Sequence, residues 1–176
     1  MEAQIVLRAL TLSDLPLTLS WHNQEDIVDL YSGHPFPVNQ EMEKLWYDRI
    51  LTSNYPVTVF GIVVVETFAL IGISVLKDID LLNRSAETAI YIGDDKYRGR
   101  GYSKLALDKT LDFGFNKLGL NRIWLKVRQD NSRAIRLYES AGFRLEGTLR
   151  EALFKNGSFV SVSVYSILNQ EYIPMV

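Results

Sequence analysis

The sequence predicts an α/β protein of the α+β kind, a single domain over residues 1–176 with one mixed central β-sheet flanked by helices. Three observations predict it. Three apolar, β-branched runs follow one another mid-chain, at 56–66, 68–79 and 85–93, the pattern of neighbouring strands. The period then changes: Leu105, Leu107, Leu111 and Phe115 recur as on a helix, and strand character returns at 121–129. Residues 85–129 therefore read as a β-α-β unit, which brings its two strands parallel. Composition is that of an ordinary globular chain, 47% hydrophobic and 23% charged, and 176 residues can bury a real core.

In chain order, the run at 4–10 is a first strand. Residues 11–23 follow as a helix, with Ser13 as N-cap and Asp14 in the first turn, although Leu15, Leu17, Leu19 and Trp21 make no clean stripe. Two prolines and a glycine mark 32–39 as a loop. Asn39 caps a second helix whose apolar face is Met42, Leu45, Trp46 and Ile50. The runs at 56–66 and 68–79 have almost no gap between them and form a hairpin, and 85–93 is a third strand. A helix runs to about Leu118, then a strand in which Ile123, Leu125 and Val127 face one way. Asn131 or Ser132 starts a short helix closed by Gly142. The last two strands flank an Asn-Gly turn at 155–158. The order is β-α-α-β-β-β-α-β-α-β-β, with no repeat, linker or low-complexity tract.

The formal net charge of −2 offers no broad basic surface, so nucleic acid is not an expected partner. The chain has no cysteine, which excludes a disulfide framework, a thiolate metal site and a cysteine nucleophile. No stretch approaches the ~20 apolar residues of a membrane span, and the start does not read as a secretory signal. The expected setting is cytoplasmic, without membrane. His22 and His34 are the only histidines and have no metal-like spacing, so no metal is expected.

The stretch KYRGRGYSKLAL, 96–107, places two glycines and several cations directly ahead of a helix. Glycines there suit an anion held on backbone N–H groups. A dinucleotide fingerprint needs a third glycine where Lys104 stands, and it belongs in a first β-α-β unit, not a late one. A triphosphate loop needs a Gly-Lys-Ser/Thr string, which is absent. By itself the stretch also reads as a plain loop with solvated arginines. A second constellation about 30 residues on, QDNSRAIRLYESAGFRLEG, changes its weight.

Arg98-Gly99-Arg100-Gly101-Tyr102-Ser103 resembles the coenzyme A loop of the GNAT superfamily of N-acetyltransferases: Gln or Arg, two residues, Gly, one residue, then Gly or Ala. Asn131, Ala134, Tyr138, Gly142 and Phe143 resemble that superfamily's later motif. Ser103 departs from the pattern, yet is small enough for close backbone approach. Layout matches over essentially the whole chain, the first 50 residues less by motif. IYIGDDKYRGRGY and GFRLEGTLREALFKNGSF are similar to the spermidine, ribosomal-protein N-terminal and amino-sugar nucleotide acetyltransferase branches, and LSWHNQEDI to the last of these.

The resemblance implies a GNAT fold and direct transfer of acetyl from acetyl-CoA, as co-substrate, to a primary amine: a polyamine, an amino-sugar nucleotide or a protein N-terminus. It implies that Arg98, Gly99, Arg100, Gly101, Tyr102 and Ser103 hold the pyrophosphate, where helix-start N–H groups and charge suit an anion. It implies that the edge at Ile90, Tyr91 and Ile92 pairs with the pantetheine amides and polarises the thioester carbonyl. Asn131 would bind the pantetheine or adenylate arm, cap its helix, or do both. Tyr138 stands where the family places its general acid, and otherwise is a helix tyrosine packed on the sheet.

An alkylamine of pKa ~10 is only ~0.1% neutral at pH 7, so the acceptor needs a base or a desolvating site. Glu87 is the candidate base, directly or through water, and otherwise an ordinary strand carboxylate. Tyr31 and His34 are candidate pocket residues, while Trp21 and Trp46 suit core or pocket wall. Family resemblance also implies a homodimer through C-terminal strands. A non-catalytic acyl-CoA sensor on the same fold is the alternative reading.

Overall fold

A computed structural model describes residues 4–30, 36–52 and 57–174. The strands are β1 (Ile5–Ala9), β2 (Thr58–Val64), β3 (Leu70–Asp80), β4 (Ser85–Ile92), β5 (Arg122–Arg128), β6 (Arg144–Lys155) and β7 (Ser158–Leu168). The helices are α1 (Leu15–His22), α2 (Glu25–Leu30), α3 (Gln40–Thr52), α4 (Tyr102–Asp112) and α5 (Ser132–Ser140). One seven-stranded sheet runs in the order β1-β2-β3-β4-β5-β7-β6. Only β4 and β5 are parallel, as a crossover through α4 requires. Among the described residues no helix is long and apolar enough to cross a membrane.

Most elements stand where the pattern put them. Asn39 caps α3, its Oδ1 accepting from Met42 N–H at 2.9 Å. The turn between β6 and β7 has positive φ at both Asn156 (48°) and Gly157 (81°), the conformation an Asn-Gly hairpin favours. α4 continues past Asp112 in a wider turn over Phe113–Lys117, which keeps Phe115 in the core.

Three details differ. The N-cap of the first helical segment is Thr11, not Ser13. Its N–H donates to Asp14 Oδ2 at 2.7 Å, and that carboxylate is clamped by Arg8 Nη1 and Nη2 at 2.7 and 2.8 Å. The clamp holds the Asp14 carboxyl below its usual range, chiefly through the Arg8 hydrogen bonds. The short helix α2 is additional, with Glu25 and Asp26 in its first turn. The inward face of α3 is Glu43 and Tyr47 with the predicted Trp46 and Ile50 packed beside them, whereas Met42 and Leu45 are exposed. α3 is rotated because Glu43 finds polar partners in the interior, which apolar spacing does not reveal.

The sheet has two covered faces. α4 and α5 pack Leu107, Leu111 and Tyr138 against Leu76, Ala86, Ile123, Leu125 and Val127. On the other face Trp21, Ile27 and Tyr47 cover Val59, Val63 and Ile73, with Tyr91 against them. Gly93 lets this second layer close: a Cβ there would lie 2.1 Å from Trp21 Cδ2. Trp21 is 2% exposed and has nowhere to withdraw. Gly93→Ala is therefore expected to cost ~2–3 kcal/mol, read as a lower urea midpoint with an unchanged slope.

Candidate active site

The decisive local event is a parting of strands. β4 and β5 pair only at Ser85↔Arg122, Ala86↔Ile123 and Glu87↔Trp124, yet β4 continues to Ile92 and β5 to Arg128. A wedge opens beyond Glu87 and exposes the backbone edge of β4 from Thr88 to Ile92. The resulting cleft has a volume of about 520 Å³, ample for an extended cofactor arm. Glu87, Ile90, Tyr91, Ile92, Arg98, Gly99, Gly101, Ser103, Asn131 and Tyr138, all picked out by sequence, line it. Tyr31 and His34 lie outside the described residues.

At one end stands the glycine loop. Gly99 and Gly101 have φ of 74° and 86°, a region costly for residues with a Cβ. Gly101 is the N-cap of α4, and its carbonyl accepts from the N–H groups of Lys104 and Leu105 at 3.0 and 3.2 Å. The N–H groups of Tyr102 and Ser103 precede this first turn, so the helix has no carbonyl for them. A Cβ built at either glycine meets nothing within 4 Å, so the loop leaves open space where those donors converge. That is a fitting cradle for a pyrophosphate.

Arg98 plays a different part from a free phosphate cation. Its Nε donates to Ile92 O at 2.8 Å, its Nη1 pairs with Asp26 and with Asp95 (2.6 Å), and its Nη2 reaches Gln24 Oε1 at 3.3 Å. The guanidinium thus ties the end of β4 to α2, and its charge is answered inside the protein. Arg100 and Lys104 are exposed beside the loop. Tyr102 stacks edge-on to Tyr97 at 5.7 Å.

β4 alternates across the wedge. Ile90 and Ile92 pack toward α4, while Glu87, Ala89 and Tyr91 face the side covered by α1 and α3. Glu87 sits where the strands part, its side chain 12% exposed, with Lys77 Nζ at 3.2 Å from Oε1. Lys77 is its register partner on β3. Hairpin register alone would have flagged Lys77, which the sequence reading missed.

From α5 come Asn131 and Tyr138. Asn131 Oδ1 accepts from Ala134 N–H at 3.1 Å, so this residue caps the helix and lines the cleft together. Tyr138 is 7% exposed, its ring 5.6 Å from Phe143. Burial pushes its phenol up to about 12, so the hydroxyl keeps its proton at neutral pH and can donate it. Lys126, Arg128 and Arg133 also line the cleft and carried no motif signal.

A GNAT acetyltransferase domain model matches residues 4–144. The chain belongs to the GNAT acetyltransferase family. This GNAT protein is 33% identical over 175 residues, 98% of each chain, to spermidine N(1)-acetyltransferase of Vibrio cholerae. It is 30% identical over 170 residues, 96% of this chain and 95% of the other, to an uncharacterized N-acetyltransferase p20 of Bacillus licheniformis. The crystal structure of the Vibrio cholerae spermidine N-acetyltransferase with CoA and spermine superposes with a TM-score of 0.90 at 31% identity, covering 96% and 98% of the two chains. The GNAT protein is accordingly an N-acetyltransferase with acetyl-CoA as its co-substrate.

Proposed function

We propose that this enzyme acetylates a primary amine of a polyamine of the spermidine class. What supports this acceptor above all is likeness over the whole chain to a spermidine acetyltransferase, at 33% identity. Two carboxylates, Glu87 and Asp26, stand in the cleft wall, held by Lys77 and Arg98, and are the groups there that an ammonium can pair with.

Each residue then has a task. The N–H groups of the Gly99–Ser103 loop hold the pyrophosphate, with Arg100 adding charge. The free edge at Ile90–Ile92 aligns the pantetheine arm and supplies a donor to the thioester carbonyl. Asn131 borders that arm. Tyr138 gives its proton to the departing thiolate. Glu87, with one oxygen on Lys77, offers the other to an ammonium of the acceptor. Two copies pair through β6, an edge strand exposed along most of its length with Leu145, Leu149 and Phe154 open to solvent.

The test is a panel of spermidine, spermine, an amino-sugar nucleotide and an N-terminal peptide, each with acetyl-CoA, followed by thiol release and product mass. Spermidine should turn over fastest. A clear preference for the sugar nucleotide or the peptide would overturn the polyamine reading.

A further inference from the structure

Behind the acceptor side of the cleft lies a buried polar chain that no motif announces. Glu43 of α3 is 1% exposed, and both its carboxylate oxygens are engaged. Oε1 accepts from the Thr18 hydroxyl, and Oε2 lies 2.7 Å from His22 Nδ1. A carboxylate can only accept, so Nδ1 carries the proton and donates it. In the neutral ring that leaves Nε2 as an acceptor, and Nε2 stands 3.3 Å from the Tyr91 hydroxyl.

The ring is held in that orientation. Trp46 meets it edge-on at 5.0 Å, and Trp21 meets Tyr91 edge-on at 6.1 Å. Tyr91 lines the cleft, and His22 is not among the lining residues. Tyr91 is therefore the residue that joins the cleft to the imidazole. Glu87 and Tyr91 share one face of β4, about 13 Å apart along the strand, with only the methyl of Ala89 between them. An acceptor crossing Ala89 passes between an anion and a hydroxyl.

We propose that Glu43, His22 and Tyr91 form a proton relay that deprotonates the acceptor amine. The ammonium gives a proton to the Tyr91 oxygen as the Tyr91 O–H proton passes to His22 Nε2. His22 becomes an imidazolium paired with the Glu43 carboxylate, and the amine is left neutral for attack. His22 then returns its proton to water through its exposed portion, 23% of the side chain. Tyr91 suits a relay and not a base of its own: burial first, and the Glu43 charge second, push its phenol far above the usual range, so it passes protons without resting as phenolate. Among the described residues, the titratable groups facing His22 are Glu43 from α3 and Tyr91 from β4. The relay rests on the amine-acetyltransferase reading but not on which amine is used. It assigns His22, through Tyr91, the taking of the reacting ammonium's proton, and Glu87, about 13 Å along β4, the pairing of a second positive charge on an acceptor that carries one.

The experiment compares wild type, His22→Gln, Tyr91→Phe and Glu87→Gln with whichever panel amine turns over fastest, reading kcat/KM from pH 6 to 9.5. Glutamine at position 22 can still hydrogen-bond Glu43 but cannot take a proton. His22→Gln should lose about 100-fold at pH 7. The deficit should shrink steadily toward pH 9.5, where water has already deprotonated more of the amine. Tyr91→Phe should show the same converging profile, and the double variant should be no worse than either. Coenzyme affinity, by calorimetry, should stay within twofold. A deficit constant across pH in both single variants overturns the relay and leaves a structural role. A converging profile in Glu87→Gln with flat ones in the other two overturns it in favour of Glu87. Failure of the polyamine reading would show separately, as a different fastest amine for the wild type.

Discussion

Tyr138→Phe is expected to lower kcat by about 10²- to 10³-fold while coenzyme affinity changes less than twofold and Tm by less than about 2 °C. The reason lies in how the phenol is held. Among the described residues its hydroxyl has no hydrogen-bond partner, although the side chain is only 7% exposed. A buried O–H without a partner costs stability, so removing it should leave the fold as stable or slightly more so. The ring contact with Phe143 survives the change. A proton donor for the departing thiolate would be lost and nothing else. The sign of the pH effect is also set. Because burial raises the phenol to about 12, it remains protonated throughout an assay from pH 6 to 10. An alkaline fall in wild-type rate within that window must come from another group. Thiol release under saturating coenzyme reads kcat directly, and equal turnover of the two proteins would remove Tyr138 from the mechanism.

The motif residues were legible because their chemistry is written locally. Gly99 and Gly101 take φ of 74° and 86° without the strain a Cβ brings, and Asn131 is both cap and cleft wall three residues from its target N–H. Tyr138 belongs to a helix whose start and stop are marked by Asn131 and Gly142. The fold was legible for a similar reason: three β-branched runs, one change of period and an Asn-Gly turn give the order of elements and the parallel β4–β5 pair, although not the places of β1 and β7 in the sheet. The acceptor side was not, because its residues meet across long sequence separations. Glu43 and His22 are 21 positions apart, and His22 and Tyr91 are 69 apart. Apolar spacing put Met42 and Leu45 inward on α3, since a carboxylate reads as a surface residue until its partners are known. Arg98 carries a further contact of the same kind, its guanidinium paired with Asp26, 72 positions away.

The parting of β4 and β5 explains why the two halves of the site differ in legibility. The wedge opens to both faces of the sheet. On the face of α4 and α5 stand the residues of the two family-like motifs, each written within a short stretch of chain. On the face of α1 and α3 the wall of the cleft is drawn from α2, β3 and β4, with α1 and α3 packed behind Tyr91. A motif cannot encode that side. Register and packing can, which is how Lys77 and the His22 chain come into view.

The second large effect is expected at the coenzyme loop. Gly101→Val should weaken coenzyme binding at least tenfold, about 1.4 kcal/mol, while kcat at saturating coenzyme stays within about twofold. A Cβ at this position meets no protein atom within 4 Å, so the loss cannot come from a clash in the empty fold. Two other effects act. A β-branched residue at φ 86° is strained by roughly 1–2 kcal/mol, so the loop relaxes and turns the Tyr102 and Ser103 N–H groups off their convergence. The valine side chain also fills the open space that the anion would enter. Gly157→Val separates affinity from stability: it sits at φ 81° in the β6–β7 turn, again with nothing within 4 Å. Both variants should lose comparable stability in urea, but only Gly101→Val should lose coenzyme affinity by calorimetry. Equal affinities for both would mean that the pyrophosphate is held elsewhere, since strain alone would then have no consequence at the helix start. The contrast with Tyr138→Phe completes the assignment. One substitution should raise Kd with kcat kept, and the other should lower kcat with Kd kept. That pair of outcomes places binding at the start of α4 and proton donation on α5, on either side of the same parted strands.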